Sequence, residues 1–146
     1  GFHIDGAFGS FVILDDQRRH LVTGIDQADS LAFDFHKWLH CPHDVGCVLI
    51  RHGDLHKSTF MLQQSYLSRS IRSFPGDEIW PCDLGPELSR SFRALKVWCT
   101  LKEHGTIKLG QKIADNCEQM QYLMSLLDKH PHIIRIFRPA SINIIN

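Results

Sequence analysis

The sequence predicts an α/β protein, and three observations carry that expectation. Short apolar runs recur in the first third of the chain, at Phe2 to Asp5, Ser30 to Phe33 and Val45 to Ile50, each too short for a helix. Longer stretches with a helical period fill the part after Pro86. The first apolar run ends in a carboxylate and the second is followed closely by Lys37, so charged groups emerge where strands end. In open α/β sheets that carboxyl edge is where ligands bind.

Each element has its own signal. Phe2 to Asp5 reads as the end of a buried strand. A short helix is expected near Asp15 to Leu21. Ser30 to Phe33 is a second buried strand that delivers His36 and Lys37 just past its end, and Gly46 with Cys47-Val48-Leu49-Ile50 marks the third. Ser68 to Asp83 contains Pro75-Gly76 and Asp77-Glu78 with no steady period, the pattern of a mobile loop.

Pro86 at a first-turn position, Glu87 near the positive helix end, and Leu88, Phe92, Leu95 and Cys99 on one stripe specify an amphipathic helix that Gly105 terminates. The next helix starts near Thr106, with Ile113, Cys117, Met120, Met124 and Leu127 spaced by four, three, four and three. Ile133 to Phe137 and Ile142 to Ile145 read as two short strands around Arg138-Pro139-Ala140-Ser141. A strand needs neighbours, none precedes Phe2, and the chain stops without a cap or turn. It therefore reads as an internal piece of a longer polypeptide.

Composition narrows the function classes. With 146 residues, 43% of them hydrophobic, the chain can bury one core spread over one or two subdomains. No stretch approaches the twenty or so apolar residues that a bilayer requires. Gly1-Phe2-His3 has neither the basic start nor the apolar middle of a signal peptide. Sixteen basic and sixteen acidic side chains cancel, which leaves no electrostatic footprint for nucleic acid or an anionic membrane. Five cysteines, an odd number without a dense framework, point to reduced thiols and a cytoplasmic location. Cys41 and Cys47 lie among His36, His40, His43 and His52, but no Cys-x-x-Cys pair accompanies the histidines, so no metal is expected.

Four ordered blocks carry a resemblance. They are His3-Ile4-Asp5-Gly6-Ala7, Asp34-Phe35-His36-Lys37-Trp38, Gln64-Ser65-Tyr66-Leu67 and the run from Leu88 to Trp98. In order and spacing they resemble the group II pyridoxal phosphate-dependent amino acid decarboxylases, which include the aromatic amino acid, glutamate and diaminobutyrate enzymes. The resemblance implies a fold-type I architecture, with residues 1–105 as the latter part of the large cofactor-binding domain and residues 106–146 as the start of the small carboxyl-terminal domain. It implies a homodimeric carboxy-lyase that converts an L-amino acid to its amine and carbon dioxide. Family segments that grip the cofactor phosphate lie upstream of the first block, so the fragment alone is expected to be inactive.

The same resemblance assigns residues. Lys37 is the lysine that forms a Schiff base with the cofactor aldehyde, for which its amine must lose a proton. Asp5, 37 − 5 = 32 residues upstream, is the carboxylate that keeps the pyridine nitrogen protonated. Ala7 matches the small residue beneath the ring. His36 faces the cofactor or substrate, or else is simply a packed histidine. Tyr66, 66 − 37 = 29 residues after the lysine, matches the loop tyrosine that protonates the α-carbon after carbon dioxide leaves. Asp34 departs from the Asn usual in the aromatic branch and resembles diaminobutyrate-type members. His43 stands where aromatic members can carry Phe, and both departures leave the substrate open. Arg90 and Arg93 match basic positions at a helix start, in ion pairs, a dimer contact or solvent. Two alternatives remain. One is another fold-type I enzyme, such as an aminotransferase, desulfurase or aldehyde-forming relative; the other is a non-catalytic interaction module.

Overall fold

The computed structural model describes residues 1–61, 79–130 and 132. Three strands form one sheet in the order β1 (His3–Asp5), β2 (Ser30–Asp34), β3 (Gly46–Ile50). β1 and β2 are parallel, with His3 opposite Ser30, Ile4 opposite Leu31 and Asp5 opposite Ala32. The Gly6 N–H donates to the Ala32 carbonyl at 2.8 Å and carries the pairing one residue further. A side chain at Gly6 would crowd Ser10, whose Oγ–H donates to the Gly6 carbonyl at 2.8 Å, so the turn out of β1 is tight by construction.

The crossover from β1 to β2 differs from expectation. In place of one helix near Asp15 to Leu21 there are three 3₁₀ segments, Gly9–Leu14, Arg19–Val22 and Ile25–Gln27. Asp15 accounts for the break. Its buried carboxylate accepts from the Gln17 N–H at 3.0 Å and from Arg18 Nη1 at 2.7 Å, bonds that compete with a continuous helical ladder. The hydrogen bond to Asp15 raises the Arg18 pKa further above its ordinary value.

The chain falls into two units, Gly1–Leu49 with Arg93–Asn146, and Ile50–Phe92. In the first, two apolar clusters join the 3₁₀ segment Gly9–Leu14, the turn after β2 and helix α2 (Arg93–Leu127). One is Val12, Trp38, Ile113 and Cys117; the other is Leu39, Cys41, Val45 and Leu109. Phe11 links them to the sheet, with its ring 5.5 Å from those of both Phe33 and Phe35. The strands themselves are less buried than expected. Phe2, Val48 and Leu49 are half exposed, and neither cluster includes a β3 residue.

Helix α2 is interrupted at Gly105, where φ 69 and ψ 162 leave the helical region, so glycine breaks the helix where the sequence places its end. Beyond the break, Ile113, Cys117 and Met120 are buried as their spacing predicts. Before it, the expected stripe is wrong. The helix starts at Arg93, so Leu88 and Phe92 precede it, and Leu95 and Cys99 are exposed. Val97 and Leu101 pack inward instead, a face rotated from the one that Leu95 and Cys99 would define.

Gly110 lies where α2 crosses the first 3₁₀ segment. A Cβ there would meet the Leu14 carbonyl oxygen inside van der Waals contact. Gly110→Ala is therefore expected to destabilise by about 1–3 kcal/mol through overpacking. Gly53→Ala, where an added Cβ meets nothing within 4 Å, should be neutral or slightly stabilising. Thermal melts of the two variants beside the parent check the opposite signs.

The second unit holds α1 (Gly53–Phe60), a helix that the sequence reading did not foresee, and a 3₁₀ turn, Pro81–Leu84. Of the loop placed at Ser68 to Asp83, only residues 79–83 are described, and there Trp80 N–H donates to Asp83 Oδ2 at 3.0 Å. Tyr66 and the two strands expected after Ile133 lie outside the described residues.

Candidate active site

Parallel pairing brings Asp5 and Lys37 to one edge. Asp5 closes β1, and Lys37 follows the carboxyl end of β2 by three residues (37 − 34 = 3). Asp5 Oδ1 accepts from the Ala7 N–H at 3.0 Å, a turn that fixes the carboxylate. Its Oδ2 has no hydrogen-bond partner among the described residues, and the residue is exposed. Ala7 is half-buried on the same turn.

Lys37 projects from a turn closed by the Cys41 N–H donating to the Phe35 carbonyl at 3.1 Å. His40 takes the left-handed conformation there (φ 59), which a β-carbon disfavours. The next residue anchors the turn. Trp38 is buried, its Nε1–H donates to Asn116 Oδ1 on α2 at 3.1 Å, and Phe8 stacks on it with ring centroids 5.1 Å apart. Lys37 and Trp38 line one side of a groove of about 640 Å³, with Asn116, Gln119 and Leu123 of α2 on the other. Asp5, Ala7 and His36 do not line it.

His36 accepts the Val45 N–H on Nδ1 at 3.0 Å. A backbone N–H can only donate, so a neutral His36 ring carries its proton on Nε2. His43 lies edge-on to it, with centroids 4.5 Å apart. Beside them Asp44 pairs with Arg93 at 3.2 Å and with Lys96 at 3.8 Å, which gives Arg93 an ion-pair partner. A hydrogen bond from its own backbone N–H, and then the Arg93 charge, hold the Asp44 carboxyl below its ordinary value. The sign follows: that contact acts above the unfolded carboxylate's pKa and is lost as acid protonates the folded group. Burial raises the thiol pKa of Cys47 and Cys117.

Two ion pairs are not anticipated by the sequence. Asp34 Oδ2 lies 2.6 Å from Lys37 Nζ, and Asp44 reaches across to the start of α2. The first has a local signal, since charges three apart in a helical turn are neighbours. The second joins positions 93 − 44 = 49 residues apart, and no local pattern marks it.

An amine and a carboxylate at the carboxyl edge of parallel strands agree with the fold-type I class of pyridoxal phosphate enzyme that the sequence resembles. The chain belongs to the pyridoxal-dependent decarboxylase family, whose conserved-domain model matches residues 1–144. It is 38% identical over 143 residues to the aromatic-L-amino-acid decarboxylase of Bacillus atrophaeus, covering 98% of this chain and 29% of that protein. It is 30% identical over 107 residues to the phenylacetaldehyde synthase of a Rosa hybrid cultivar, covering 73% of this chain and 21% of the relative. The structure of Oryza sativa TDC with PLP and tryptamine superposes with a TM-score of 0.83 over 94% of this chain and 28% of that one, at 22% identity. The chain thus spans less than a third of the length of each.

The residues present fit the family's cofactor. There is an amine for its aldehyde, a carboxylate oxygen without a hydrogen-bond partner among the described residues for its ring nitrogen, and the small Ala7 on the carboxylate's own turn.

Proposed function

We propose that the polypeptide carrying this chain decarboxylates an L-amino acid to the amine and carbon dioxide, with Lys37 as the lysine that bonds to the cofactor. The observation that carries this reading is the register that sets Asp5 opposite Ala32, with Lys37 just past the end of the same strand. When bound, the cofactor supplies an electron-accepting ring for the pair left on the α-carbon. The chain's own residues do the rest. Asp5 Oδ2 would hold a proton on the ring nitrogen, Ala7 is small enough to admit the ring, and His36 would offer its Nε2–H toward the cofactor or substrate. Tyr66 delivers a proton to the α-carbon.

The name of the Bacillus relative makes aromatic L-amino acids the first substrates to assay. A second reading, aldehyde formation, is favoured by the synthase among the relatives. Residues 1–105 then belong to the large domain and residues 106–146 to the small one. The assembly proposed is a homodimer, as the family resemblance implies, with a molar mass to be checked by light scattering. A cytoplasmic setting is supported by five unpaired cysteines. Among the described residues no helix is long and apolar enough to cross a membrane.

The direct test is chemical trapping. Borohydride reduction of the cofactor-loaded polypeptide should fix the cofactor covalently, and peptide mapping should place it on Lys37. An adduct on any other lysine would overturn the assignment.

A further inference from the structure

Lys37 has a partner that none of the roles above uses. Asp34 closes β2, and its Oδ2 lies 2.6 Å from Lys37 Nζ, with side-chain exposures of 22% and 40%. Among the described residues this is the only ion pair either side chain makes. The other oxygen, Oδ1, looks onto Gly46 at the start of β3, where a Cβ would stand 3.0 Å away. A residue without a side chain at position 46 therefore leaves the carboxylate room to keep this pose.

We propose that Asp34 is a parking site for Lys37. It is a positioning residue that holds the lysine nitrogen whenever that nitrogen is not bonded to the cofactor, and so sets how readily the bond forms. The identity of what Lys37 bonds to rests on the function proposed above; the pair itself does not. An ammonium has no lone pair. For Nζ to bond to an aldehyde carbon it must leave Asp34 and give one proton to water, and the carbonyl oxygen then departs as a water molecule. When a substrate amine takes its place, Nζ recovers a proton from solvent and returns to the carboxylate, which opposes its immediate re-attack. A pair this exposed is a modest restraint, large enough to bias the exchange and small enough to be broken in every cycle.

The test uses the polypeptide carrying this chain, stripped of cofactor and treated briefly with acetic anhydride. Acetylation of Lys37 is read by mass spectrometry against the other lysines, and pyridoxal phosphate uptake is followed by absorbance. Asp34→Asn should speed both by about fivefold, the upper size expected of a partly exposed pair. Gly46→Ala, which crowds Oδ1 without touching either charge, should move both in the same direction by less. Asp34→Glu, which keeps the charge, should stay within about twofold of the parent. Equal or slower labelling in Asp34→Asn with an unchanged melting temperature would overturn the proposal. If that variant does not fold, unchanged labelling in Gly46→Ala does so. Because labelling is read without cofactor, its failure is distinct from a trapped adduct on the wrong lysine.

Discussion

Asp5→Asn is expected to lower turnover by about a hundred- to a thousandfold, the scale of one preorganised charge contact that strengthens in the transition state. The structure makes this a clean substitution. Asn can still accept the Ala7 N–H through Oδ1, the 3.0 Å bond that fixes the turn, so shape is retained and only the charge is lost. Cofactor content, read by absorbance, should fall much less than carbon dioxide release, because the covalent hold on the cofactor is assigned to Lys37. Unchanged turnover in the polypeptide carrying this chain would refute the role.

Tyr66→Phe should change the product as well as the rate. The substitution removes one hydroxyl, so carbon dioxide release can continue while proton delivery to the α-carbon slows by about a hundredfold or more. A longer-lived carbanion is open to dioxygen. Amine yield should drop, and aldehyde, ammonia and peroxide should appear with oxygen uptake. The measurement is paired, amine against aldehyde with oxygen consumption in the same sample. Unaltered amine yield without oxygen uptake would make Tyr66 structural. Aldehyde from the unmodified polypeptide would instead favour the synthase-like reading.

Particular residues show what the sequence could and could not convey. The three strands were legible because each is a short apolar run that ends in or is followed directly by a charged residue, and the break at Gly105 because glycine alone tolerates its φ of 69 without strain. The crossover was misread because Asp15 acts through its side chain, taking bonds from Gln17 and Arg18 that no apolar period records. The first half of α2 was misread because Leu88, Phe92, Leu95 and Cys99 share helical spacing, whereas the helix begins only at Arg93 and buries Val97 and Leu101. Helix α1 carries no buried residue, so it had no apolar stripe to reveal it. At the candidate site, Lys37, Asp5 and His36 stand out in the sequence only through the motifs they occupy. The hydrogen bond from Val45 to His36 was not, since a backbone donor has no sequence signature.

Lys37 and Trp38 are neighbours with opposite fates. One side chain reaches solvent at 40% exposure while the other is seated in the core with 3%. The nitrogen proposed to react is thus aligned by the same contacts that hold Phe8, Ile113 and Cys117 together, much as a pointer is aligned by the bearing it turns in. Substitutions at Ile113 or Cys117 too mild to unfold the chain would still tilt that bearing, and the first symptom would be a lysine out of line with Asp5. Variants chosen only for an unchanged melting temperature would therefore include enzymes that have lost their aim.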